Sequence, residues 1–220
     1  MTQTDWHEWH SAYDKPGSGL ARRLSWVQDQ VRAALDAAPA GPVRALSLCA
    51  GQGRDLIGAL AGHPRARDVT ARLVELDPRN TEAAARLAAQ AGLDNVDIVT
   101  GDASLTSQYA DLVPAGLVLA CGLFGNMTDA HVKQTIAYCA QLCAEGGTVV
   151  WTRARWAPDL VPHVCAWFED DGFERVWLTS PNFTQCVGVH RRVAPPVPLE
   201  PDASMFAFTN HHPRTGPIRS

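Results

Sequence analysis

Charge, aromatic side chains and long apolar runs are all scarce in this chain of 220 residues. Charged residues make up 19% and aromatic residues 7% of it. The 19 basic residues do not outnumber the 23 acidic ones, and the formal net charge is −4. That balance argues against a nucleic-acid partner, since phosphate binding wants a basic surface. Arginines do cluster at 153–155 and 191–192. No apolar stretch approaches the ~20 residues needed to cross a bilayer. The first six residues, Met1 to Trp6, have neither the basic region nor the apolar segment of a secretion signal. The expectation is a cytoplasmic protein without a membrane partner. Six cysteines, at 49, 121, 139, 143, 165 and 186, form no Cys-x-x-Cys pair, and the histidines show no His-x-x-x-His spacing. No metal site is expected, and the cysteines read as small buried hydrophobes.

What is present is an ordinary globular composition, 46% hydrophobic, long enough for one domain with a full core. Residues 45–54 are the most informative stretch. The apolar run Ala45-Leu46-Ser47-Leu48-Cys49 turns through Ala50-Gly51-Gln52-Gly53 into a helix-like segment. A buried strand feeding such a turn lets backbone approach a ligand, which a Cβ would block. About twenty residues further on, nucleotide-binding α/β folds place an acid that grips a ribose. Here that residue is Glu75, in the apolar segment Leu73-Val74-Glu75-Leu76. A third apolar segment, 96–99, runs into Thr100-Gly101-Asp102-Ala103 and again ends in an acid.

The rest of the chain alternates in the same way. A helix begins near Ser18, with Leu20, Leu24, Val27, Val31 and Leu35 on one face, and another spans about 54–62. Asp77 caps a third, with Pro78 at its first position, and Thr128 caps a fourth that runs to about Cys143. A fifth spans roughly 158–170. Strands are expected at 43–49, 73–76, 96–99, 116–121, 148–152 (after a turn at Gly146-Gly147), 173–178 and 184–192, the last two as an antiparallel hairpin. The fold class is therefore α/β: a doubly wound, mostly parallel seven-stranded sheet with a C-terminal antiparallel hairpin and an N-terminal helical extension. Residues 1–42 form that extension, 43–193 the nucleotide-binding unit and 194–220 a proline-rich tail. Within the tail, Met205 to Phe208 can dock back on the body, and 210–220 are expected to be disordered. Trp156, Trp167 and Trp177 read as packing residues.

Two common glycine-loop chemistries do not fit. A dehydrogenase fingerprint puts its third glycine at position 56, which is Leu56, and no Gly-Lys-Ser/Thr follows for a P-loop. The residues resemble instead the class I S-adenosylmethionine-dependent methyltransferases over about 43–192. The first motif of that family, an acid, an apolar residue and Gly-x-Gly-x-Gly, corresponds to Ser47-Leu48-Cys49-Ala50-Gly51-Gln52-Gly53. Ser47 stands where the acid falls and Cys49 where the first glycine falls. The family's acid there helps hold the methionine amino group or a nearby water. The resemblance gives Glu75, with Leu76 beside it, the ribose role. It gives Asp102 and Ala103 the adenine contacts, and places Cys49, Ala50, Gly51, Gly53 and Cys121 around the cofactor. S-adenosyl-L-methionine is then the implied cofactor and S-adenosyl-L-homocysteine the product.

For the acceptor side, Trp6, Trp9, His10 and Tyr13 share a face if residues 5–14 are helical. Aromatic faces clamp planar or cationic groups, and an imidazole such as that of His10 is the side chain suited to take a proton near neutral pH. The expected catalytic residues are His10, Tyr13 and Asn126; the expected acceptor-binding residues are Trp6, Trp9, Phe124 and Arg153. The segment Cys121-Gly122-Leu123-Phe124-Gly125-Asn126 does not read Asn/Asp-Pro-Pro-Tyr, the signature of base amino-group methylation, and no Pro-Cys nucleophile for cytosine C5 appears. The expected acceptor is a small molecule and the expected assembly a monomer or homodimer. A methyltransferase of RNA or protein, and a non-catalytic cofactor-binding module, are the alternatives.

Overall fold

The computed structural model describes residues 13–15 and 17–209. Helix α1 (Gly19–Ala37) starts where Ser18 accepts from the Ala21 amide at 3.0 Å. It buries Arg23, Val27, Val31 and Leu35, one residue per helical turn. The chain then alternates: β1 (Val43–Leu48), α2 (Arg54–Leu60), β2 (Val69–Glu75), α3 (Pro78–Gln90), β3 (Val96–Thr100), β4 (Ala115–Ala120), α4 (Asp129–Leu142), β5 (Cys143–Ala154), α5 (Val161–Asp170), β6 (Phe173–Leu178) and β7 (Gln185–Arg192). The seven strands form one sheet in the order β3-β2-β1-β4-β5-β7-β6. Strands β1 to β5 pair in parallel, and β7 runs antiparallel to both β5 and β6. This is the mixed, mostly parallel sheet with a terminal antiparallel hairpin that the sequence predicts.

The chain reaches the sheet edge at β3 and returns to lay β4 beside β1. Strand order thus reverses between β1 and β4, and the carboxyl ends of these strands are where open α/β sheets form their ligand-binding cleft. Both strands are covered on two faces and are apolar almost throughout. Val43 and Ala45 face one core, with Leu56, Ile57, Val27 and Val31 from α1 and α2. Leu46 and Leu48 face the other, with Phe124, Ile136, Trp151 and Phe168. Caps hold the helices as the sequence predicts: Asp77 accepts from the Arg79 amide at 2.9 Å, and Thr128 from the His131 amide at 3.2 Å.

Several expectations need correction. Strand β2 begins at Val69, well before 73, and ends at Glu75, so Leu76 lies beyond it. The glycine pair 146–147 is not a turn before β5 but a bulge within it. Pairing jumps from Ala115–Cys143 to Leu117–Thr148, and a Cβ on Gly147 would sit 2.9 Å from the Ala115 carbonyl oxygen. Helix α5 starts at Val161 rather than 158. Trp156 is 45% exposed and is no core residue. The tail does dock: Met205 and Phe206 are buried, and 203–205 pair with 104–106 through Thr106 N to Ala203 O at 3.0 Å and Met205 N to Ser104 O at 2.8 Å. The expectation for 210–220 falls outside the described residues. No helix among the described residues is long and apolar enough to cross a membrane.

Candidate functional site

The turn after β1 is built from left-handed backbone. Cys49, Gly51 and Gly53 have φ of 47°, 54° and 68°. The Ala50 amide donates to the Val74 carbonyl at 3.0 Å, and the Gly53 amide to that of Ala50 at 2.8 Å, which locks the turn against β2. At Gly53 a side chain is excluded twice, by φ and by space: a Cβ would lie 2.6 Å from Ile57 Cδ1 and 2.7 Å from Leu73 Cδ2. Cys49 adopts a conformation that costs an L-residue about 1–2 kcal/mol, and it does so where a glycine would be relaxed.

Glu75 ties the neighbouring loops together. Its Oε2 accepts from the Gly51 amide at 2.9 Å and its Oε1 from the Asp77 amide at 3.0 Å. Each carboxylate oxygen keeps a second acceptor position for a ligand hydroxyl. Leu76, next to it, is 71% exposed, a large apolar surface beside a carboxylate. At the end of β3, Asp102 Oδ1 accepts from the Ser104 amide at 2.9 Å, and the buried Tyr109 hydroxyl donates to the Ala103 carbonyl at 3.0 Å. Burial pushes the Cys49 thiol well up, and the charges of Glu75 and Asp102 push it further. The three side chains therefore share one region, and Cys49 stays a neutral thiol there.

The far side of the cleft is more closed. The pairing of Ser47 with Leu119 sets Cys121 beside the β1 turn, and burial holds its thiol neutral as well. Phe124 is fully buried, its ring 6.0 Å from that of Trp151 and 6.5 Å from that of Phe168. It packs in the core on that side of the sheet. Asn126 donates from Nδ2 to the Gly122 carbonyl at 2.9 Å, and its own carbonyl accepts from the Thr209 amide at 2.9 Å. Its side chain thus braces the loop. Arg153 donates from Nη1 to the Phe124 carbonyl, so it too secures this loop. Tyr13 accepts from Arg23, and burial raises its phenol, which stays protonated at neutral pH and donates rather than takes a proton. Trp6, Trp9 and His10 lie outside the described residues. Among the described residues no group of three or more His, Cys, Asp or Glu is placed to hold a metal ion.

Sequence reasoning missed Arg23, Asp55 and Tyr109. Arg23 carries a signal in hindsight: it occupies the buried stripe of α1 four residues before Val27. Asp55, in the first turn of α2, acts on both Tyr13 and Cys121 at the cleft mouth. Nothing local marks either Asp55 or Tyr109.

Residues 17–168 match a family model described as "Putative methyltransferase". Solved structures with the same fold include a carbon methyltransferase, CurJ, with a TM-score of 0.67 at 17% identity, covering 87% of this chain and 59% of that one. They include magnesium protoporphyrin IX methyltransferase from Synechocystis PCC 6803 with bound S-adenosylmethionine, with a TM-score of 0.63, 14% identity and coverage of 86% and 91%. A third is 1,6-didemethyltoxoflavin-N1-methyltransferase from Burkholderia thailandensis with its acceptor and S-adenosylhomocysteine, with a TM-score of 0.60, 15% identity and coverage of 86% and 84%. The chain thus spans less than two thirds of the carbon methyltransferase. No curated protein matches the sequence.

Proposed function

The chain belongs to the class I, Rossmann-like S-adenosylmethionine-dependent methyltransferases, and on that premise we propose that it transfers the methyl group of S-adenosylmethionine to a small-molecule acceptor by in-line displacement. The observation that carries the cofactor half is the Gly51–Glu75 tie at 2.9 Å. It sets a carboxylate with spare acceptor positions beside a turn that lacks Cβ atoms at Gly51 and Gly53. In this reading Glu75 takes the ribose hydroxyls, the exposed Leu76 is covered by the adenine, and Asp102 with the Ala103 amide holds the adenine edge. Ala50 and Cys49 form the floor under the sulfur, and Cys121 bounds it on the β4 side.

The cofactor supplies an already activated methyl group on a sulfonium. The protein's own part is then to orient the acceptor and strip its water, effects that reach about 7–11 kcal/mol in ideal intramolecular cases. A nitrogen or thiolate acceptor brings its own nucleophile. An oxygen acceptor needs a base, and Tyr13, held protonated by burial, does not supply one; His10 is the candidate. The small-molecule assignment rests on the arginines. Arg155 pairs with Asp159 at 2.9 Å, Arg191 pairs with Glu174, and Arg192 donates to the carbonyls of Asp171 and Pro195. With Arg153 bonded to the Phe124 carbonyl, each arginine of the two clusters has a partner within the chain, the Arg191–Glu174 pair lying at the surface.

The test is transfer from methyl-labelled S-adenosylmethionine in a cell extract, followed by size fractionation. Label is expected in the low-molecular-weight fraction. Label in RNA or protein would overturn the acceptor class. Saturable cofactor binding with no transfer to any fraction would favour a non-catalytic binding module.

A further inference from the structure

The chain after β7 returns to the loops at the carboxyl ends of β3 and β4. Residues 200–209 run along α4 against its direction. Near the end of that helix the Glu200 amide donates to Gln141 Oε1 at 2.8 Å, and Glu200 Oε2 accepts from the Tyr138 hydroxyl at 2.8 Å. Nearer its start, Gln134 Nε2 donates to the Ser204 carbonyl at 3.1 Å. Gln134, Tyr138 and Gln141 are spaced by four and three, which sets them on one stripe of the helix. Beyond the helix start, the Thr209 amide and hydroxyl both donate to the Asn126 carbonyl, at 2.9 Å and 3.2 Å. Met205 and Phe206 are buried between these anchors.

The same segment holds the loop after β3. Leu105 and Ser204 form an antiparallel bridge. Thr106 donates to the Ala203 carbonyl from its amide at 3.0 Å and from its Oγ1 at 3.3 Å, and that Oγ1 accepts from the Ala203 amide at 2.9 Å. The Met205 amide donates to the Ser104 carbonyl at 2.8 Å. Ser104 and Thr106 are buried, so without the segment these groups would stand in the interior unpaired, at a cost. The Ser104 amide in turn donates to Asp102 Oδ1 at 2.9 Å. An unbroken series of bonds thus leads from α4, through the tail, to the loop that carries Asp102 and Ala103.

Resting on the function proposed above, we infer that residues 203–209 are a strap that positions the adenine side of the cofactor site, with Thr106 as the positioning residue where strap meets loop. The strap sets Asp102 and the Ala103 amide for the adenine edge and joins their loop to the one after β4. Thr106 is fully buried and acts through the loop rather than on the ligand. The linkage runs both ways: a ligand that holds the loop also holds the strap.

Hydrogen exchange on the full chain, with and without saturating S-adenosylhomocysteine, reads this linkage directly. The ligand should slow exchange of the 203–209 amides about 10-fold or more, and more than it slows the β6–β7 hairpin. No slowing in the strap, or equal slowing in strap and hairpin, would overturn the inference. Calorimetry then separates positioning from bulk stability. S-inosylhomocysteine keeps the ribose and the amino-acid end and has an oxygen where adenine has its amino group. Thr106→Val removes the hydroxyl at nearly constant shape, and should weaken S-adenosylhomocysteine about 10-fold but S-inosylhomocysteine by no more than about threefold. Thr106→Ser keeps the hydroxyl and should bind S-adenosylhomocysteine within about threefold of the native chain. Glu75→Ala should weaken both ligands. Equal losses for the two ligands in Thr106→Val, or undiminished S-adenosylhomocysteine binding, would also overturn the inference. A native chain that binds no S-adenosylhomocysteine would sink the proposed function and this inference with it. A native chain that binds it, with a strap indifferent to the ligand, would sink the inference alone.

Discussion

The two halves of the sheet end in different chemistry. Strands β1, β2 and β3 finish in open backbone and carboxylates: the Gly51 turn, Glu75 with one amide on each oxygen, and the exposed Asp102. Strands β4 and β5, with β7 running back beside β5, pack on a closed aromatic block. Phe168 stacks on His190 at 4.6 Å and on Trp151 at 6.1 Å, and Trp151 donates to His190 Nδ1 at 3.0 Å. On that side Asn126, and Arg153 from β5, bind carbonyls of the loop after β4. The first half offers acceptors to a ligand. The second is a packed wall on which Asn126 and Arg153 are already engaged. In the proposed function, acceptor choice then falls to groups beyond this wall, and the tail that hydrogen-bonds to Asn126 through Thr209 is beside it.

Gly53→Val should break the open half most severely. The new side chain meets Ile57 and Leu73 inside ordinary contact distance at a φ of 68°. A loss of about 3–5 kcal/mol is expected, read by denaturant melts. Wild-type stability would mean that the turn is not packed as described. In the closed half, His190 is the sensitive point. Burial pushes its pKa from 6.5 down to about 3, so the folded protein keeps it neutral. The unfolded chain binds the extra proton, so the stabilisation is complete above about pH 6.5 and is lost as pH falls toward 3. The slope is about 1.4 kcal/mol per pH unit at its steepest. His190→Phe should flatten that fall while costing about 1–3 kcal/mol at pH 7, because Trp151 loses its acceptor. Parallel pH profiles for the two proteins would exclude His190 as the source.

Asn126→Ala sharpens the contrast further. A loop brace should lose about 1 kcal/mol of stability with turnover changed less than about threefold. A drop in kcat of two orders of magnitude at unchanged stability would restore Asn126 as a catalytic residue. Cys49→Gly has the smallest expected effect. It relieves left-handed strain but adds unfolded-state freedom, for a net gain of about 0.5–1 kcal/mol. A measurable loss of thermal stability would show that the thiol packs more than the backbone strains.

Features decided by neighbouring residues were legible in the sequence. The caps at Asp77 and Thr128, the glycine turn and the β6–β7 hairpin each depend on a few adjacent positions. Features decided across the fold were not. Gly146-Gly147 reads as a turn, yet β5 pairs with β4 on both sides of it, at Cys143 and from Thr148, so it becomes a bulge within the strand. Phe124 reads as a pocket residue because it follows a strand, but its ring turns inward to meet Trp151 and Phe168, which arrive from β5 and α5. Arg153 reads as an acceptor-binding residue, and the structure sets the Phe124 carbonyl against its guanidinium. Strand β2 extends back to Val69 because β1 pairs with it from Val43 onward, through Thr70 and Arg72, which lack the apolar character of a buried strand.

The tie between the glycine turn and Glu75 is best tested by titrating the full-length native chain and Glu75→Ala with S-adenosylhomocysteine. We expect saturable single-site binding by the native chain and about 100-fold or greater weakening in the variant, since hydrogen bonds to a charged group are worth about 1.5–3 kcal/mol each. No binding by the native chain, or equal affinity in the variant, would contradict the assignment of this cleft as the cofactor site.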